Sequence, residues 1–250
     1  MATYILMLGG SDPEAQAIFA KHFLAASIMA APATLIIAKI LIPETGEPLT
    51  RGSVKVHVEK TTANIIDAAA SGAADGLKLA LNIAAMLLAF TALIALLNAI
   101  IAWGGDATGL TAWINAGRET PFAFNLGSLL GVVLSPIAWL IGVPWEDAII
   151  AGGLIGQKIV LNEFIAYGQL ADVPVGDGVG AISMQTKLIL TYALCGFANF
   201  SSIAIQIGGI GGLAPGRRPD LARFGLRAVL GGSIATFMTA TIAGVLTKFV

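Results

Sequence analysis

Polar and apolar positions alternate along this chain on the scale of a membrane rather than of a folded core. A bilayer-spanning helix needs about 20 apolar residues. His22 to Ala38, bordered by Lys21 and Lys39, forms one such run. Ala80 to Asp106 forms a second, interrupted only by Asn82, Thr91 and Asn98 before its closing acid, and Ala228 to Thr247 a third, bounded by Arg227 and Lys248. Leu188 to Gly216 is uncharged throughout, yet its centre reads "CGFANFSS", Cys195 to Ser202, where a lipid-facing helix favours Leu and Val. Thr120 to Trp145 is also uncharged, but Pro121, Pro136 and Pro144 break it.

Composition supports the same solvent. The chain has 250 residues, of which 56% are hydrophobic and 12% charged, and its mean hydropathy is +0.84. Soluble domains carry about 25% charged residues. The predicted fold class is therefore an all-α integral membrane protein. A net charge of −1 gives no electrostatic case for nucleic acid. The single cysteine, Cys195, excludes an internal disulfide. The first residues, "MATYILMLGGSDPEAQ", lack the basic start and long apolar stretch of a secretory signal and read as the tail of a truncated helix.

Basic residues set the expected topology. Arg51, Lys55, Lys60 and Lys78 form one group and Arg217, Arg218, Arg223 and Arg227 another, together eight of the 14 Lys and Arg residues. The positive-inside rule places both groups in the cytoplasm. The expected organisation follows from that. Residues 1–42 hold the helix tail and a first spanning helix. A cytoplasmic loop and interfacial helix occupy 43–78, and 79–104 cross back. An outer loop and interfacial helix follow over 105–145, a re-entrant hairpin over 146–172 and an outer loop over 173–187. A discontinuous spanning helix is expected at 188–212, a basic cytoplasmic loop at 213–227 and a last spanning helix at 228–250.

The hairpin reading rests on "WEDAIIAGGLIGQKIVLNEFIAYGQL". Asp147, Lys158 and Glu163 are too many charges for a lipid-exposed span, and Gly152, Gly153 and Gly156 permit close packing. Irregular backbone at membrane depth survives only where protein buries it or a wet cavity lines it. Glu163 has two readings at this point: a functional intramembrane carboxylate, or a solubilising charge at an aqueous mouth.

A helix broken across Gly196 to Ser202 frees backbone groups that cost several kcal/mol each if unpaired in lipid. Transporters use such breaks to hold polar substrates near the midplane. Asn199 supplies an amide, Ser201 and Ser202 hydroxyls, and Phe197 an aromatic face, a set suited to a neutral ligand with hydroxyls and a flat ring. The competing reading is helix-to-helix hydrogen bonding, worth about 0.6 kcal/mol per bond. "GGIGGLAPG", Gly208 to Gly216, lacks the Lys-Ser/Thr of a phosphate loop and reads as a helix end. His22 and His57 have no ligand-like companions, so no metal site is expected. Val54, Val56 and Val58 suggest a short strand-like piece, and Thr61 to Gly76 an N-capped helix. No Ser–His–Asp, Cys–His or metal-spaced cluster points to an enzyme.

"LNEFIAY", Leu161 to Tyr167, and "YALCGFANFSSIAIQIGG", Tyr192 to Gly209, resemble the concentrative nucleoside transporters, as do "NIIDAAASGAADGLKLALN" and "RPDLARFGLRAVLGGSIAT". The resemblance runs across nearly the whole chain. It implies the second half of an inverted-repeat transporter, a homotrimer in the bacterial inner membrane that imports nucleosides with a sodium or proton gradient. It implies ribose binding by Glu163, Asn199 and Ser202, with Phe197 lining the same cavity, and makes Arg217 and Arg218 inner-face anchors. Family members carry a first hairpin with a G-Q-[ST]-E-A-P motif for the nucleobase and a broken helix that helps bind sodium; neither motif occurs here. The expectation is a C-terminal part with the ribose half of the site present and the coupling-cation site elsewhere. The alternative is a non-transporting membrane module or gene remnant.

Overall fold

The computed structural model describes residues 1–47, 62–117 and 121–247. The strand-like reading at Val54 to Val58 lies outside the described residues, as do Arg51, Lys55, His57, Lys60, Arg118 and Lys248. The described chain is built of helices: α1 (Ala2–Gly9), α2 (Pro13–Leu41), α3 (Ile65–Ala107), α4 (Leu110–Asn115) and α5 (Leu126–Leu140) in the first part. A single 3-10 turn, Trp145–Asp147, leads into α6 (Ala148–Val160) and α7 (Glu163–Asp172). Then come α8 (Met184–Ala193), α9 (Phe200–Leu213), a 3-10 turn at Pro215–Arg217 and α10 (Arg218–Leu246).

Two compact units emerge, residues 44–100 and the remainder, 1–43 with 101–250. In the smaller unit α3 begins with reciprocal side-chain caps. The Asn64 carbonyl oxygen accepts from the Asp67 N–H at 2.9 Å, and the Asp67 carboxylate accepts from the Ala63 N–H at 2.8 Å. The helix then runs unbroken from Ile65 to Ala107. It crosses the boundary at residue 78 where the sequence reading separates an interfacial helix from a spanning one. Nothing between Leu77 and Ala80 caps or breaks a helix, which is why the backbone continues.

In the larger unit α10 packs against α2, α8 and α9, while α6 contacts α5, α7, α8 and α9. The polarity of α10 is inverted relative to a water-soluble helix. Small and hydroxylated residues face inward, with Ala235 at 1%, Thr239 at 2% and Ala240 at 0% exposed. Leu226, Leu230 and Ile242 face outward. On α2, Phe19, Phe23 and Ala26 are buried, while Ile28, Leu35 and Ile40 are exposed. Small residues let helices approach where lipid, not water, is the solvent. Both helices are long and apolar enough to cross a bilayer.

The segment 213–227, read from sequence as a loop, is mostly helix. One 3-10 turn precedes α10, which starts at Arg218 with Pro219 in its first turn and Asp220 at the positive helix end. Pro fits a first turn because its missing N–H has no helical partner there. Four arginines do not oppose a helix when water solvates them.

Helix α5 crosses α6 with backbone close to backbone. A Cβ on Gly131 would sit 2.5 Å from the Ile149 carbonyl oxygen, and one on Gly152 would sit 2.7 Å from the Gly131 carbonyl oxygen. Glycine is required because backbone meets backbone. This crossing fixes α6, and α6 in turn carries the helix break that builds the site.

Candidate functional site

Two helix breaks meet in the larger unit. The first separates α6 from α7 at Leu161 and Asn162. Asn162 caps α7, its side-chain oxygen accepting from the Ile165 N–H at 3.0 Å. The second separates α8 from α9 across Leu194 to Asn199. Asn199 caps α9 in the same way, accepting from the Ser202 N–H at 2.8 Å. Ser202 Oγ closes the capping box by accepting from the Asn199 N–H at 3.4 Å, and it also donates to the Asn199 carbonyl oxygen at 2.7 Å. Each break thus satisfies part of its own freed N–H groups locally.

Glu163 is the first residue of α7 and is 4% exposed. Three features make a carboxylate tolerable there. It sits at the positive end of a helix. Its Oε2 accepts from Asn199 Nδ2 at 3.2 Å, and Asn199 is itself 1% exposed. Its Oε1 accepts from the Tyr4 hydroxyl at 3.1 Å. An ionised carboxylate has about four lone-pair sites, so two hydrogen bonds leave acceptor capacity on both oxygens. Ser201 Oγ lies between the breaks, 2.8 Å from Asn199 Oδ1 and 3.4 Å from the Leu161 carbonyl oxygen. The chemistry offered is a buried, oriented acceptor pair flanked by an amide and hydroxyls, fitted to hydroxyl-bearing ligands.

An aromatic layer holds this arrangement. The Tyr4 ring lies 4.6 Å from that of Tyr167, and the Phe23 ring 5.4 Å from Tyr167. Tyr167 is fully buried and its hydroxyl donates to the Thr191 carbonyl oxygen at 2.7 Å, tying α7 to α8. His22 Nδ1 is 3.0 Å from the Tyr192 hydroxyl, so this histidine joins α2 to α8. At the other end of α6, Asp147 Oδ2 accepts from the Ser183 N–H at 3.0 Å, Ser183 Oγ at 2.9 Å and Thr186 Oγ1 at 2.6 Å. That clasp fixes the start of α6 to the start of α8.

The residues singled out from sequence fall in two places. Glu163, Asn199 and Ser202 form one hydrogen-bonded chain. Phe197 is 69% exposed and, with Ser202, lines a cavity of about 640 Å³ that extends to Arg217 and Asp220. Tyr4 escaped the sequence reading because 159 residues separate it from Glu163 and no local pattern marks it. Lys158 and Asp147 were visible only as charges in an apolar segment; their burial, 0% and 8% exposed, was not.

Residues 22–244 match the family described as Na+ dependent nucleoside transporter C-terminus. The chain belongs to this family. It corresponds to the C-terminal portion of a concentrative nucleoside transporter, and its membrane character follows from that membership. It is 52% identical over 225 residues to a Bacillus subtilis relative named an uncharacterized transporter, YutK, covering 90% of this chain and 52% of the relative. It is 44% identical over 226 residues to the Helicobacter pylori nucleoside permease NupC, covering 89% of this chain and 50% of the permease. The chain therefore spans about half the length of these curated relatives.

Among solved structures, the concentrative transporter CNTnw in an inward-facing substrate-bound state aligns with a TM-score of 0.72 at 42% identity. That alignment covers 98% of this chain and 57% of the other. A doubly substituted CNTnw in an outward-facing state aligns with a TM-score of 0.77 at 43% identity, covering 98% of this chain and 53% of the other.

Proposed function

We propose that this chain supplies the ribose-binding half of the substrate site in a cation-coupled nucleoside importer. The observation that carries the reading is the buried bond from Asn199 to Glu163, which sets a hydroxyl-accepting carboxylate at the junction of two broken helices. Family membership supports a nucleoside as the substrate class, since relatives include a nucleoside permease and a sodium/nucleoside cotransporter. In this reading Glu163 accepts from ribose hydroxyls, Asn199 and Ser202 orient them, and Phe197 lines the approach.

The α6–α7 pair is then a re-entrant hairpin and α8–α9 a discontinuous spanning helix in a multi-pass protein of a bacterial inner membrane. The basic start of α10 faces the cytoplasm. Nucleobase recognition belongs to a further hairpin and the coupling cation, sodium or proton, to a site outside the residues of this chain, and the assembled transporter is a homotrimer.

The test is equilibrium binding of uridine to the purified chain in detergent, with Glu163→Gln alongside. Binding that the substitution removes supports a preformed ribose half-site. Equal binding by both proteins removes Glu163 from the site.

A further inference from the structure

The cavity that Phe197 and Ser202 line continues well past them. It runs between α2, α9 and α10 from the α8–α9 break to Arg217 and encloses about 640 Å³, within the size range of small-molecule sites. Much of its wall is apolar, with Ile203 and Phe224 among the lining side chains. Most of the polar groups along it are engaged. Thr34 Oγ1 donates to the Ala30 carbonyl oxygen at 2.7 Å, Thr236 Oγ1 donates to the Ser233 carbonyl oxygen at 2.9 Å, and Ser202 is held in its capping box. At the far end Arg217 Nε lies 3.2 Å from Asp220 Oδ2. Gln206 also lines the cavity, and its side-chain amide makes no hydrogen bond among the described residues.

Gln206 follows Ser202 by four residues within α9, so the two share one helix face about 6 Å apart along the axis. A carboxamide brings two donors and an acceptor. Were lipid chains to fill the cavity, those groups would go unpaired in hydrocarbon, which is costly. Water or a hydroxyl-bearing ligand satisfies them. A nucleoside matches both parts of the wall: its ring faces suit Ile203 and Phe224, and its hydroxyls and base-edge groups suit the amide.

We infer that Gln206 is a further substrate-contacting residue: its amide hydrogen-bonds a nucleoside in this cavity, one helical turn beyond Ser202 toward the basic end of α10. The inference rests on the ribose-site reading above and extends it along α9. The cavity is then a wet passage continuous with the ribose site, and Gln206 is a second polar station in it.

The test places single cysteines in a Cys195→Ser background. Gln206→Cys reports on the cavity. Ala204→Cys is the control, since Ala204 is exposed, lies on the other side of α9 at nearly the same depth and does not line the cavity. Proteoliposomes are treated with a cationic, membrane-impermeant methanethiosulfonate on both faces of the bilayer, with and without uridine. A thiol reacts as its thiolate, which water supports and apolar surroundings suppress, so the cysteine at 206 is expected to be labelled roughly tenfold faster than that at 204, or more. Uridine is expected to slow labelling at 206 only. Gln206→Met, which keeps the length without the amide, is expected to bind uridine roughly three- to tenfold more weakly in detergent, with an unchanged unfolding midpoint.

Equal labelling rates at 206 and 204 would overturn the inference, as would wild-type affinity in Gln206→Met. Adding Glu163→Gln to the position-206 variant separates the two readings. Protection by uridine that this addition abolishes upholds both. Protection that survives it removes Glu163 from the site and leaves Gln206 as a contact. Uridine binding that depends on Glu163 but gives no protection at 206 overturns the Gln206 contact alone, and a wild-type chain that binds no uridine overturns both.

Discussion

The Asn199 side-chain amide donates to Glu163 across 3.2 Å, and the same side chain caps α9 through its oxygen. One residue thus fixes where a helix restarts and how a buried carboxylate is aimed. Asn199→Ala removes both bonds. The lost cap costs about 1 kcal/mol and the lost partner of a buried charge about another 1–3 kcal/mol. Asn199→Asp keeps an acceptor for the Ser202 N–H but sets carboxylate against carboxylate. Both variants are expected to lose uridine binding, the Asp variant with α9 still capped; thermal unfolding and binding measured together separate the two effects.

Tyr4→Phe isolates the other oxygen of Glu163. The ring contacts with Tyr167 and Phe23 are retained, and only the 3.1 Å hydroxyl bond is lost. A hydrogen bond to a charged group contributes about 1.5–3 kcal/mol. Uridine affinity is expected to fall with little change in membrane abundance. Unaltered affinity would show that Oε1 is not held by Tyr4 when substrate binds.

The Asp147 clasp is a matter of stability rather than recognition. Asp147→Ala strips one acceptor from Ser183 N–H, Ser183 Oγ and Thr186 Oγ1. The expected loss is about 2–3 kcal/mol of stability, read as a lower unfolding midpoint with uridine specificity intact. A changed specificity would mean the clasp shapes the site.

Gly152 and Gly168 make a matched pair. A Cβ on Gly152 would lie 2.7 Å from the Gly131 carbonyl oxygen and 2.8 Å from the Ser135 nitrogen, whereas a Cβ on Gly168 meets nothing within 4 Å. Gly152→Ala is expected to destabilise by about 1–3 kcal/mol through backbone displacement. Gly168→Ala, in a helix with open space, is expected to stabilise by about 0.5–1 kcal/mol. Unfolding midpoints of the two variants check both signs.

Much of this arrangement is legible in sequence because its signals are local. The polar cluster across Gly196 to Ser202 marks a helix break within a few residues, and uncharged run length marks the apolar helices. The site residues Glu163, Asn199 and Ser202 stand out as polar groups in apolar segments. What stays hidden is long-range. Nothing near Tyr4 announces that its hydroxyl meets Glu163, and nothing near His22 announces Tyr192, 170 residues away. Boundaries also shift where a segment has no breaker. Residues 65–107 form one continuous helix across the boundary expected at 78, and Arg218 starts a helix where a loop over 213–227 is expected.

The claim that Glu163 reads ribose hydroxyls is tested most directly by comparing uridine with 2′,3′-dideoxyuridine in equilibrium binding to wild type and Glu163→Gln. The account predicts that wild type prefers uridine by roughly tenfold or more, about 1.4 kcal/mol, and that Glu163→Gln loses most of this preference. A Glu163→Gln protein that discriminates as strongly as wild type would contradict it.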